Sequence, residues 1–227
     1  MATRKEDGIE AIATMHQDSD VPSEAAMMYS FNQSTIQAHL EALDDTRRLA
    51  FGVFLLERAL PGYLQFQVDS GSLGGAKLRA ALAQCWSALE AGSRQVDPFI
   101  SVETCEKILP DSEDHTSAYT SAAIDAVNIA CCLLTYLDSG DVSNLMEAVE
   151  ARWDTLYLFI LNGTDIDPSV AGLQEDITRH PLMQEELSFL HNDIAFLQTI
   201  SGTGSAVLIA AIERTSQMDY RRLRLRL

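Results

Sequence analysis

Thirty-three Asp and Glu against sixteen Lys and Arg give this 227-residue chain a formal charge of −17 and a sequence pI near 4.5. Affinity for nucleic acid comes mainly from cations that neutralise phosphates, and an anionic membrane surface repels a chain of this sign, so neither is an expected partner. With 47% hydrophobic and 22% charged residues it carries enough apolar material to bury a core.

Residues 1–32 are polar and weakly periodic and read as an N-terminal arm. Residues 1–17, charged at Arg4, Lys5, Glu6, Asp7 and Glu10, include no apolar stretch of the kind a secretory signal needs. The acidic pair Asp44 and Asp45 reads as a helix junction with Arg47 and Arg48. From there Leu49, Val53, Leu56 and Leu60 follow helical spacing, with Phe51, Phe54 and Leu55 covering the opposite side. A helix apolar nearly all round is central in its bundle. Pro61-Gly62 is expected to end it.

A second helix spans about residues 74–90 through Leu78, Ala81, Leu82, Cys85 and Leu89. Asp97-Pro98 reads as a cap and first turn of a short helix that stops before Pro110. The cleanest apolar stripe runs from Tyr119 through Ala122, Ala126, Ala130, Leu133 and Leu137, and its small residues allow a neighbouring helix to approach closely. The uncharged run 126–137 is too short to span a bilayer. Further helices follow from Leu145, Val149, Leu156 and Ile160; from Met183, Leu187, Leu190, Ile194 and Leu197; and from residues 206–212. The expectation is an all-α fold: a single compact bundle of about seven helices with no sheet, over residues 33–220. Residues 221–227 form a basic tail, Arg221, Arg222, Arg224 and Arg226 alternating in part with leucine. Without that tail the chain carries −21, so its charge is segregated between body and tail.

Four cysteines without a C-x-x-C pair point to a reduced, cytoplasmic protein, and five scattered histidines offer no zinc spacing. A di-iron bundle requires Glu-x-x-His, which does not occur. The glycines of residues 71–77 lack the spacing of a phosphate-binding loop, and no serine stands in G-x-S-x-G. No catalytic residue, metal or cofactor is assigned on these grounds.

Glu57 and Arg58 stand out because they sit in an otherwise apolar helix. By helical angle Glu57 borders the leucine stripe and Arg58 points away from it, so they require different partners, since charges withdrawn from water must be paired. They fit either a polar pocket lined with Tyr63, Trp86, Tyr119 and Asp125, or an architectural network at the helix end, which is favoured. For Asp125 the expected arrangement is a boundary salt bridge, with Arg58 as the candidate partner.

The segment 51–63, with Glu57-Arg58 followed by Pro61-x-Tyr63, resembles the YjaG-like family of bacterial proteins, domain of unknown function 416. Phe66, Trp86, the Pro110-Asp111 pair, Tyr119 with Asp125-Ala126, and Pro181 with Glu185 and Glu186 extend the likeness over roughly residues 34–200. The resemblance implies an all-helical fold and a role associated with signalling, and transfers no catalytic residue. Two classes of function are expected. One is a non-catalytic interaction or regulatory module, whose acidic face meets a basic protein partner or another copy in a dimer; an immunity protein against a cationic toxin is a sharper version. The other is an enzyme or small-molecule sensor with a pocket around Glu57, Arg58 and Asp125.

Overall fold

Helix α2 (Asp45–Ser70) carries an unbroken buried run from Leu49 to Leu56, and the other elements are arranged around it and α5 (Thr120–Ser139). This computed structural model describes residues 28–164 and 171–218. The remaining helices are α1 (Gln33–Glu41), α3 (Gly75–Ala91), α4 (Val102–Glu106), α6 (Val142–Gly163), α7 (Leu173–Arg179), α8 (Pro181–Thr199) and α9 (Ser205–Ser216). α5 packs against α2, α3, α4 and α6, while α8 and α9 close over the far side of α2. No strand occurs among the described residues, and the fold is an all-α, compact multi-helix bundle. The described residues form nine helices where about seven are expected, because α1 and α7, of nine and seven residues, are too short to display a full apolar period.

Pro61 does not end α2: the helix continues through it to Ser70. Proline removes one amide hydrogen bond and crowds the preceding turn, at a cost of about 3 kcal/mol. Beyond it Tyr63 and Phe66 are fully buried, and Leu60 just before it is nearly so. At about 1.5–3 kcal/mol for each large side chain, their burial outweighs the proline. The other proline signal is also displaced. Asp97-Pro98 lies in a loop whose Phe99 and Ile100 amides donate to the Gln84 side chain (3.0 and 3.1 Å), and α4 starts later, where Ser101 caps Thr104.

The acidic junction forms as expected: Asp44 caps α2 by accepting from the Arg47 amide (2.9 Å), Arg47 also pairs with the Asp44 carboxylate, and Arg48 meets Asp45 at 3.3 Å. Gly140 ends α5 with φ of +70°, a left-handed conformation that disfavours a side chain. α5 is long and apolar enough to cross a membrane, contrary to the expectation from residues 126–137 alone; 61% of its most apolar window is buried inside the bundle.

Of the arm, residues 1–27 lie outside the described residues, as do the tail arginines Arg221, Arg222, Arg224 and Arg226. Residues 28–32 form no helix and lie on the bundle, with Tyr29 and Phe31 packed against its core.

The α2–α5 contact depends on Gly52 and Gly62. A methyl at Gly62 would stand 3.1 Å from the Ala122 Cβ, and one at Gly52 would overlap a Leu133 methyl. Gly52→Val should therefore lower the unfolding free energy in urea by about 1–3 kcal/mol through overpacking. In a Leu133→Ala background the same change should cost less than about 1 kcal/mol, because the clash is gone. Equal losses in both backgrounds would refute this contact.

Candidate functional site

Arg58 points from α2 toward α8 and is 1% exposed. An isolated guanidinium there would be very costly, and α8 supplies two carboxylates. Arg58 Nε donates to Glu186 Oε1 at 2.9 Å and its Nη1 bonds Asp193 Oδ2. Glu186 and Asp193 are seven residues apart, two turns on one helix face, so both reach the same neighbour. Each has a second arginine. Arg152 of α6 donates to Glu186 Oε2 at 2.8 and 3.0 Å, and Arg214 of α9 donates to Asp193 Oδ1 at 2.8 and 3.0 Å. The result is a ladder, Arg152–Glu186–Arg58–Asp193–Arg214, that ties four helices together. Arg58 Nη2 has no hydrogen-bond partner among the described residues, but its guanidinium carbon lies 5.8 Å from the Phe189 ring centroid, within cation–π range.

Burial alone would raise the Glu186 carboxyl, yet the charges of Arg152 and Arg58 bring it down to about 2. Arg58 is held above its ordinary value: burial opposes its charge, but Glu186 and Asp193 outweigh it. Both groups therefore stay ionised at neutral pH.

The candidates from sequence are dispersed. Glu57 accepts from Trp86 Nε1 of α3 at 3.3 Å, on a different side of α2 from Arg58. Tyr63 donates to the Ile108 carbonyl at 3.3 Å. The Tyr119 ring lies tilted against Phe159 with centroids 6.3 Å apart. Asp125 accepts from Thr155 Oγ1 at 2.7 Å, and the expected bond to Arg58 is replaced by the α8 carboxylates. Burial is the largest influence on Asp125 and lifts it to about 6; Asp154 adds to the rise, while Thr155 and Arg152 oppose it. Glu57 and Arg58 do take different partners, as the helical angle requires. Arg152, Asp193 and Arg214 belong to no motif in the sequence, and Glu186 only to the acidic pair after Pro181. The signal was present: two acids spaced by seven beside the apolar seam of α8 match one arginine in an apolar helix.

Helix ends engage three further arginines. Arg47 donates to the carbonyls of Leu197, Ile200 and Gly202 at the end of α8, Arg48 to Leu40 and Glu41 at the end of α1, and Arg94 to Tyr136 and Leu137 at the end of α5. Of the ten Lys and Arg among the described residues only Arg79, Lys107 and Arg179 are exposed, against nineteen exposed Asp and Glu. No group of three or more His, Cys, Asp or Glu among the described residues is placed to hold a metal ion.

Glu186 and Asp125 should give opposite pH trends in urea unfolding. Glu186 sits below its ordinary 4.5, so its contribution is complete above pH 4.5 and disappears as pH falls through about 2. The deficit of Glu186→Gln should shrink over that interval. Asp125 sits above its ordinary 3.8, so the folded state favours the proton and loses stability as pH rises from 3.8 through about 6. Asp125→Asn should equal the parent below pH 3.8 and exceed it above pH 6; parallel pH profiles for the two variants would contradict these environments.

The family model described as Protein of unknown function (DUF416) matches residues 35–218. The match reaches beyond residue 200 and takes in α9 with Arg214. The fold is similar to the crystal structure of a DUF416 family protein from Shewanella baltica OS155, with a TM-score of 0.68, 19% identity, and coverage of 80% of this chain and 93% of that one. No curated protein matches. An all-helical chain matched over this span belongs to the DUF416 family of uncharacterised bacterial proteins.

Proposed function

We propose that the protein is a non-catalytic interaction or regulatory module whose carboxylate-rich exterior meets a cationic protein partner. The observation that carries this reading is the withdrawal of arginine: Arg58, Arg152 and Arg214 serve buried carboxylates, and Arg47, Arg48 and Arg94 serve helix ends. Among the described residues nineteen exposed carboxylates then stand against three exposed cations, a field that accelerates encounter with a basic surface and disfavours nucleic acid or an anionic membrane. An immunity protein masking a basic toxin and a signalling adaptor are two forms of the same reading. So is self-association, with the arginine tail of one copy against the acidic body of another in a homodimer. Four unpaired cysteines suit a reducing cytoplasm.

The pocket reading, in which the protein is an enzyme or small-molecule sensor, has less support. Glu57, Arg58 and Asp125 are committed to Trp86, to Glu186 and Asp193, and to Thr155, and do not converge on one cavity.

Immobilised full-length protein should retain a discrete basic protein from a bacterial lysate at low salt and release it near 0.5 M salt, where screening shortens the reach of surface charge to a few ångströms. Retention of no protein at low salt would contradict the interaction reading.

A further inference from the structure

Residues 28–31 lie on the bundle as a ligand lies on a receptor. The Tyr29 amide donates to Gln184 Oε1 at 2.9 Å, and Gln184 Nε2 donates back to the Tyr29 carbonyl at 2.9 Å. One side-chain amide thus satisfies both backbone groups of a single residue, as a neighbouring strand would. Gln184 is held in place by the Thr178 carbonyl of α7, to which it also donates at 2.8 Å. The side chains alternate. Tyr29 stacks on His191 with centroids 5.1 Å apart, Ser30 is exposed, and Phe31 stacks on Trp153 at 4.5 Å. Phe31 and Trp153 lie beside Arg152 and Glu186, where the ladder approaches the surface.

Past Phe31 the contact opens into a groove of about 550 Å³ with Trp153, Glu150, Asp154 and Gln174 on its walls. Among the described residues its lining includes two carboxylates and no cation. The cis segment supplies only Asn32, Gln33 and Ser34 there, and Gln33 reaches Glu150 at 2.8 Å. The aromatic half of the surface is thus matched by the chain itself, whereas the acidic half faces neutral side chains.

We propose that this surface of α6 and α8 is a docking site for an extended segment of a partner protein in which an aromatic-x-aromatic sequence is followed by Lys or Arg, and that residues 28–31 occupy it in cis. The inference rests on the reading of the protein as an interaction module and names the site and chemistry of contact. Gln184 reads the backbone, His191 and Trp153 take the two rings, and Glu150 with Asp154 attract the cations that the cis segment lacks. A tethered segment competes at millimolar effective concentration, so the partner gains entry through charge as well as shape.

The test uses a labelled peptide, acetyl-Tyr-Ser-Phe-Lys-Lys-amide, titrated with full-length protein and followed by fluorescence anisotropy at low salt. The double variant Tyr29→Ala/Phe31→Ala should bind it at least tenfold more tightly than the parent. Adding Gln184→Ala should remove that gain, and a peptide ending Glu-Glu should bind at least tenfold more weakly. Equal binding by parent and double variant, or indifference to Gln184, overturns the proposal. If the double variant loses its helical circular dichroism, hydrogen exchange on the parent replaces it: excess peptide should accelerate exchange of the Tyr29 amide at least tenfold, and an unchanged rate overturns the proposal. Salt-sensitive retention of a basic partner that persists undiminished in Gln184→Ala would also overturn this site while leaving the broader reading intact.

Discussion

A guanidinium in the middle of the central helix is the constraint on which the bundle depends. Arg58 is almost wholly removed from water, and no other helix satisfies it as α8 does, with Glu186 and Asp193 on one face. Each carboxylate then has an oxygen left over, and each of these meets a further arginine, from α6 and from α9. Ion pairs of this kind add little net stability over a well-packed apolar alternative, because desolvation offsets most of the attraction. What they enforce here is alignment. Sliding α8 by one residue rotates its face by about 100° and would strand both acids and three arginines.

That internal demand shapes the exterior. A chain with half as many cations as anions places six of its arginines in ladder rungs or at helix C-termini, where guanidinium groups satisfy carbonyls that have no helical partner. The carboxylates outside are left facing solvent. Among the described residues nineteen exposed carboxylates face solvent against three exposed cations, and the same allocation that orders the core creates the field a basic partner would meet.

Legibility in the sequence followed the range of the physics involved. Apolar spacing located α2, α3, α5, α6, α8 and α9, because their stripes extend over several turns. It missed α1 and α7, which offer two turns each, and it misplaced the start of α4, where Ser101 rather than Asp97 provides the cap. Pro61 was read by its local preference, but burial on both sides of it decided the outcome. The candidate site divided similarly. That Glu57 and Arg58 face different ways follows from helix geometry. The partner of Arg58 does not, since it lies 128 and 135 residues away, and Asp125 was an equally plausible acid until tertiary packing joined it to Thr155. The strap at residues 28–31 gave no periodic signal, and its recognition by Gln184 is visible only in three dimensions.

The ladder can be tested directly by a double-mutant cycle between Arg58 and Asp193, using Arg58→Met, Asp193→Asn and the double variant in urea unfolding at pH 7. If the buried pair holds α8 on α2, each single change should cost about 3–5 kcal/mol by leaving an unmatched charge, and the double variant should cost less than their sum by at least about 2 kcal/mol. Losses that add to within about 0.5 kcal/mol would mean that the two residues act independently and that the ladder does not organise the fold.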